Sequence, residues 1–169
     1  SKIIQLVSPL QSSLSFSNKQ SAKSRAGAAF EEHLENFFIK LGFQFDRQQP
    51  IEGEVFDFIF PDIERFTSFP NDCLLAEAQT TLKDRFRLTQ GKATNIRTNK
   101  YLLCASGCGV MTKRDTGDFT EKKLDELQSK GVTLVVFKEA KERINHPIMM
   151  SFERFVNTEY PAQEIRWEL

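Results

Sequence analysis

The sequence has no excess of either charge and no long apolar run. Lysine and arginine number 23, and aspartate and glutamate also number 23, so the formal net charge of the 169 residues is zero. A uniformly basic nucleic-acid-binding chain is thereby excluded, and any site for a polyanion must be a local patch. No apolar run approaches the ~18 residues of a membrane span, so we do not expect a membrane partner.

Cysteine, tyrosine and tryptophan are scarce. The cysteines are Cys73, Cys104 and Cys108, an odd number with two in or beside apolar runs. This pattern argues against a disulfide framework and predicts a reducing compartment. Cys104 and Cys108 lack the further ligands that a zinc site needs. Sixteen phenylalanines stand against two tyrosines and one tryptophan, a bias expected of a core built from aromatic rings.

Hydrophobic spacing predicts an α/β fold with a mixed central sheet flanked by helices. Residues 1–23 are rich in serine and glutamine, and we expect an arm of uncertain order there, followed by one domain over 24–169. Residues 62–72 are predicted to be a polar loop. The predicted helices cover 24–41, 81–95, 120–130 and a short stretch near 151–156, and the predicted strands cover 43–48, 54–60, 73–79, 100–105 and 132–137.

Two carboxylates occupy neighbouring predicted strands. Asp57 interrupts the apolar run EVFDFIF, and Glu77 lies near the end of the next run. A carboxylate in a buried strand needs a partner, a cation or a proton, and two such groups held close together repel each other. Mg²⁺ suits oxygen ligands of this kind. The alternative is two strand-end acids paired with surface lysine or arginine.

A cluster of cations follows the second acid. Thr81-Leu82-Lys83-Asp84 fits the S/T-x-x-D/E capping pattern, so a helix is predicted to begin here with Lys83, Asp84 and Arg85 at its exposed end. Approaching a DNA major groove end-on, arginine suits guanine and aspartate suits the cytosine amino group. The alternative is capping by Asp84 and a solvated face formed by Lys83, Arg85 and Arg87.

Three stretches together resemble the PD-(D/E)xK nucleases, and more closely the catalytic domains of EcoRII- and SsoII-type restriction endonucleases. They are SRAGAAFEEHLENFF (24–38), VFDFIFP (55–61) and AQTTLKDRFR (78–87). The similarity covers roughly residues 24–156. The third stretch is the most specific, because it joins a catalytic strand to a base-reading helix. The resemblance implies a restriction-endonuclease-like core.

The sequence departs from this family at two catalytic positions. Gln79 stands where the family has its catalytic lysine, and Lys92 stands where it has a catalytic glutamate thirteen residues later. Glu77, however, occupies the acid position of most PD-(D/E)xK enzymes. Acid and base thus exchange places relative to the family. Two independent losses of catalytic residues would more often leave a neutral residue at both positions. We interpret the pattern as a retained active site. Phe56 also replaces the proline of the family name.

The resemblance implies a Mg²⁺-dependent type II endonuclease of the prokaryotic cytoplasm. Asp57 and Glu77 would ligate the metal, Lys92 would stabilise charge, Gln79 would position water or the scissile phosphate, and Glu31 would act at a second metal or behind the ligands. Lys83, Asp84, Arg85 and Arg87 would contact double-stranded DNA with CC and GG half-sites, bound by a homodimer. Two alternatives remain: a domain that binds DNA without cutting it, and an α/β protein whose acids and capped helix are structural.

Overall fold

The computed structural model of the protein describes residues 23–82, 96–106 and 118–168, with side chains from residue 27 onward. In none of these ranges does a helix combine the length and apolarity needed to traverse a lipid bilayer. The helices are α1 (Lys23–Leu41), α2 (Ile63–Ser68), α3 (Glu121–Ser129), α4 (Lys138–Ile144), α5 (Phe152–Arg154) and α6 (Tyr160–Trp167), with a 3-10 turn at Pro70–Asp72 and a π-helical turn at Phe155–Glu159. The strands are β1 (Asp46–Ile51), β2 (Glu54–Phe60), β3 (Leu74–Gln79), β4 (Asn99–Cys104), β5 (Val132–Val136) and β6 (Met149–Ser151).

The six strands form one mixed sheet in the order β1-β2-β3-β4-β5-β6. Strand β2 pairs antiparallel with both β1 and β3, whereas β3, β4, β5 and β6 run parallel to one another. The β1–β2 connection is a two-residue turn in which Glu52 and Gly53 have φ of 51° and 90°. Positive φ at both central residues is the geometry that matches the twist of a tight hairpin. The sheet is therefore a local antiparallel half joined to a parallel half.

Each face of the sheet has its own core. One face is covered by α1 and the C-terminal helical segments, through residues such as Leu34, Phe38 and Tyr160. The opposite face is covered by α2, α3 and α4, through residues such as Phe66 and Leu127. Both layers exclude water from the central strands, so β3 is buried along its whole length. Any charged side chain on these strands therefore requires hydrogen-bonding partners.

Phe38 lies at the centre of the aromatic cluster beneath α1. Its ring centroid is between 5.3 and 6.3 Å from six other rings, a spacing at which aromatic pairs attract each other. These partners are Phe37, Phe43, Phe45, Phe58, Phe60 and Phe155. They come from α1, the loop after it, β2 and the C-terminal helical segments, so one cluster fixes α1 on the sheet.

Most of the predicted elements are confirmed. The first helix, the strands at 54–60, 73–79, 100–105 and 132–137, the helix over 120–130 and the mixed sheet between helices all appear within one or two residues. The strand predicted over 43–48 lies further along the chain. In the structure, β1 begins at Asp46 and continues to Ile51.

The prediction of a polar loop over 62–72 was wrong. This segment contains α2 and a 3-10 turn. The Asp62 side chain caps α2 by accepting from the Arg65 backbone N–H at 2.6 Å. The helices α4 and α6 and strand β6 were not predicted. Of the helix predicted over 81–95, Thr81 and Leu82 are not helical and the remainder lies outside the described residues.

Phe38→Ala is expected to lower the free energy of unfolding by about 3–5 kcal/mol, because the truncated side chain leaves a cavity among six rings. Chemical denaturation monitored by circular dichroism measures the change. The adjacent Ile39 is 58% exposed, so Ile39→Ala should stay within about 0.5 kcal/mol of the parent. Equal losses in the two variants would contradict the central role of Phe38.

Candidate active site

Strands β2 and β3 stop pairing at the point where the predicted acids lie. Their paired residues run from Phe60 opposite Leu74 to Phe58 opposite Ala76. Asp57 is the next residue of β2, just past the last pair. The face alternation of β2 also changes there, since Phe56 packs in the core on one face and Phe58 in the core on the other. Residues two apart on a regular strand share a face, so β2 is locally twisted around Asp57.

The Asp57 carboxylate bridges this opening between the strands. Its Oδ2 accepts the backbone N–H of Ala78 at 2.8 Å, and its Oδ1 accepts from the Gln48 side-chain nitrogen at 3.3 Å. Asp57 is only 1% exposed. The carboxylate therefore satisfies a backbone donor that would otherwise be left without a strand partner, and this contact places it next to Glu77.

Glu77 and Gln79 project from the same face of β3. The two residues are separated by one position, and the Gln79 Nε2 donates to the Glu77 Oε1 at 2.7 Å. Both are buried, and the Gln79 Oε1 has no hydrogen-bond donor among the described residues. The contact with a carboxylate fixes the amide orientation, because turning it would bring two oxygens together. A buried acceptor without a donor therefore lies beside Glu77.

A second acid approaches Asp57 from α1. The Glu31 Oε2 accepts from the Gln48 Nε2 at 2.9 Å and from the Arg47 Nη2 at 3.3 Å. Arg47 also pairs with Glu35 on the next turn of α1. The Gln48 amide thus contacts both Glu31 and Asp57. Arg47 and Gln48 were not predicted, because the predicted strand ended at residue 48 and nothing in the sequence distinguished Gln48 from Gln49.

Five predicted residues lie outside the described ranges. They are Lys83, Asp84, Arg85, Arg87 and Lys92. The structure does describe how the chain is held where it approaches residue 83. The Lys123 Nζ on α3 donates to the Leu82 carbonyl at 2.8 Å. The folded core therefore fixes the chain immediately before the predicted DNA-contacting segment.

The cysteine thiols of the described residues are not prepared for nucleophilic chemistry. Burial raises the pKa of Cys73 and of Cys104 to about 12, so both thiols stay protonated near pH 7 and are poor nucleophiles. Burial lowers the pKa of Lys100, which lies at the start of β4 opposite Leu75 rather than opposite Glu77.

The carboxylates fit a hard divalent cation in kind and number. Across 23–82, 96–106 and 118–168, no group of three or more His, Cys, Asp or Glu side chains is arranged to hold a metal. Mg²⁺ does not require such a cage, because it commonly binds through one or two carboxylates, waters and substrate phosphate. Asp57 and Glu77 are two buried carboxylates on adjacent strands, which is a donor set of this kind.

A comparison with protein families shows where the chain belongs. The family model described as EcoRII C terminal matches residues 5–156. The chain belongs to this family. The match begins inside residues 1–23, which were predicted to form an arm and which, up to residue 22, lie outside the described ranges.

Curated relatives agree with the EcoRII C-terminal assignment. The type II restriction enzyme EcoRII of Escherichia coli is 34% identical over 127 residues, covering 72% of this chain and 28% of that enzyme. The type II restriction enzyme SsoII of Shigella sonnei is 34% identical over 83 residues, covering 44% of this chain and 27% of that enzyme. The chain thus spans little more than a quarter of the length of these relatives.

Solved structures share the fold. Metal-depleted Ecl18kI in complex with uncleaved DNA matches with a TM-score of 0.70 at 26% identity, covering 90% of this chain and 50% of that chain. The complex of the restriction endonuclease PspGI with substrate DNA matches with a TM-score of 0.64 at 18% identity, covering 90% and 66%. The predicted restriction-endonuclease-like core is confirmed.

Replacing Asp57 tests whether its carboxylate stabilises the sheet through the Ala78 N–H. Asp57→Ala removes the acceptor of the Ala78 N–H, whereas Asp57→Asn retains a carbonyl oxygen for it. We expect Asp57→Ala to be less stable than Asp57→Asn by about 1–3 kcal/mol, the cost of a buried donor left without a partner. Urea denaturation of both variants measures the difference. Equal stabilities would show that the carboxylate does not support the sheet.

Proposed function

We propose that this chain is the catalytic domain of a Mg²⁺-dependent type II restriction endonuclease that hydrolyses double-stranded DNA at a short site with CC and GG half-sites. The catalytic domain covers residues 24–169 in this proposal. Two chains act together as a homodimer, because a symmetric site requires one catalytic unit for each strand. Membership of the EcoRII C-terminal family supports the proposal.

The observation that carries the proposal is the pair of buried acids where β2 and β3 separate. Asp57 accepts the Ala78 N–H, but this contact does not explain why a second carboxylate, Glu77, is buried on the adjacent strand, since each acid must be desolvated and like charges repel each other. A cation site resolves this conflict. Bound Mg²⁺ would supply positive charge next to the scissile phosphate, and Asp57 and Glu77 are the residues that would hold it.

The hydrogen bonding of Gln79 supports one of the two roles proposed for it. Its nitrogen donates to Glu77, so the atom without a donor is the carbonyl oxygen. An acceptor cannot stabilise the negative charge of a phosphate, but it can hold a hydrogen of water. We therefore assign Gln79 to orienting the attacking water, in preference to contacting the phosphate. A cation is still required elsewhere in the site.

Lys92 is our candidate for that cation. It stands at the family's glutamate position, while Glu77 provides the acid on the strand. In this arrangement Lys92 stabilises the charge that develops on the phosphate, and Glu31 acts from α1 at a second metal or behind the ligands. Lys83, Asp84 and Arg85 read C·G pairs, and Arg87 contacts DNA nearby.

A second candidate function is sequence-specific DNA binding without cleavage. The observation that favours it is the uncharged amide of Gln79 at the family's catalytic-lysine position, held against Glu77 in the described site. The two functions share the recognition residues and differ only at the acids, Gln79 and Lys92. A cleavage assay separates them.

The parent protein is expected to cleave plasmid DNA in Mg²⁺, with ends that map to CC/GG-containing sites, and Asp57→Asn is expected to abolish cleavage. Asp57→Asn is the suitable variant because it keeps an acceptor for Ala78. Its affinity for a specific duplex should remain within a few-fold of the parent and fall steeply with salt. A parent that binds specifically in this way but leaves DNA intact would establish the second candidate function.

Lys92→Ala is expected to lower the single-turnover cleavage rate by a factor on the order of 10²–10³, the usual effect of removing one charge-stabilising group. DNA affinity should change much less. The double variant Gln79→Lys, Lys92→Glu restores the family arrangement and should recover part of the rate. If Lys92→Ala cuts normally, or only binds more weakly at high salt, the lysine contacts phosphate and the exchange of acid and base is wrong.

A further inference from the structure

Gln48 adopts a backbone conformation that a strand does not require. Its φ is 51°, in the left-handed region, although it lies in the middle of β1. The β1–β2 pairs on either side are made, Arg47 with Phe58 and Gln49 with Phe56, but Gln48 is not paired with Asp57. A glutamine pays a steric penalty in this region, and its side chain lacks the local backbone contacts that help asparagine there. Such an outlier calls for a functional explanation.

The left-handed residue changes the direction of one side chain. Neighbouring residues of a regular strand point to opposite faces of the sheet. Arg47 and Gln48 are neighbours, yet both donate to the same Oε2 atom of Glu31. The unusual φ of Gln48 is what allows its amide to reach the side of the sheet on which α1 lies.

The amide reaches two acids with a single nitrogen. The Gln48 Nε2 is 2.9 Å from the Glu31 Oε2 and 3.3 Å from the Asp57 Oδ1. Gln48 is itself exposed, so burial of apolar surface does not explain the distortion. The Arg47 guanidinium already pairs with Glu31, and the neutral Gln48 amide contacts Asp57 without bringing a second positive charge to that carboxylate.

We propose that Gln48 is a positioning residue of the active site, which holds the carboxylates of Glu31 and Asp57 in place for the divalent cation. This inference rests on the proposed nuclease function. Carboxylates that bind metals are themselves held by hydrogen bonds, and losing such a partner typically reduces metal affinity or activity about 10–100-fold. The rival explanation is an edge-strand irregularity that only prevents pairing with another sheet.

Gln48→Gly separates the two explanations, because glycine accepts φ of 51° without strain and carries no amide. The control is Gln49→Ala. Gln49 is the next residue of β1, and its amide donates to the Arg47 carbonyl at 3.0 Å, so the control loses an amide that contacts neither acid. Thermal melting, DNA affinity without metal, Mn²⁺ binding to the DNA-free protein by calorimetry, and kcat and KM in Mg²⁺ are measured for each protein.

For Gln48→Gly we expect a melting temperature equal to or above that of the parent, with KM and DNA affinity within about twofold. We expect kcat and Mn²⁺ affinity each to fall about 10–100-fold. Gln49→Ala should keep both kcat and Mn²⁺ affinity within about twofold of the parent. If Gln48→Gly keeps parental kcat and Mn²⁺ affinity, or if Gln49→Ala loses as much, Gln48 has no positioning role.

The same measurements distinguish this inference from the proposed function. A parent that cuts DNA while Gln48→Gly cuts equally well overturns only the role of Gln48. A parent that does not cut overturns the nuclease function, and the Mn²⁺ affinities then decide the role of Gln48 by themselves. A parent that neither cuts DNA nor binds Mn²⁺ overturns both.

Discussion

The site depends on one hydrogen bond, from the backbone N–H of Ala78 to the carboxylate of Asp57. A backbone donor inside a sheet must find an acceptor. On the N-terminal side of Phe58, β2 is no longer paired with β3 and provides no backbone acceptor for it. The carboxylate takes that place, so the two strands can separate without leaving a buried donor unpaired. Because the bond is made at Ala78, it also fixes Asp57 relative to Glu77 and Gln79 on either side. The requirement of the sheet and that of the proposed chemistry coincide in one side chain.

Helix α1 extends this arrangement into the core. Its buried side carries Phe38 into the ring cluster, and another side presents Glu31 and Glu35 to Arg47. The guanidinium of Arg47 also lies over the Phe58 ring, with 5.5 Å from Cζ to the ring centroid. Packing and charge pairing thus act on the same helix.

The sequence predicts the centre of the fold well, because β2, β3, β4 and β5 are apolar runs of strand length and α1 has a clear helical stripe. It predicts short elements poorly. Strand β6 has three residues and α2 has six, and both are stabilised by neighbours rather than by local propensity. Many residues in and around α2 are polar, so the sequence predicted a loop there. The structure has a helix capped by Asp62 instead.

The residues of the candidate site also differ in how well the sequence predicts them. Asp57 and Glu77 could be predicted because charged residues in buried strands are conspicuous, whereas Gln79 and Glu31 came from the family resemblance. Gln48 could not be identified. Its proposed role rests on a left-handed backbone angle at a residue that rarely adopts one, and on contacts with residues 17 positions before it and 9 positions after it along the chain. Neither feature has a local sequence signal.

The hairpin turn at Glu52 and Gly53 has a consequence for the order of folding. Every contact described between Glu31, Gln48, Asp57, Glu77 and Gln79 joins residues within one continuous stretch of α1, β1, β2 and β3. Antiparallel strands joined by a two-residue turn require little loop closure, whereas the parallel strands β4, β5 and β6 must each wait for a crossover. We therefore expect the half of the sheet that carries the site to gain native contacts early, with the parallel half docking afterwards and completing the burial of β3.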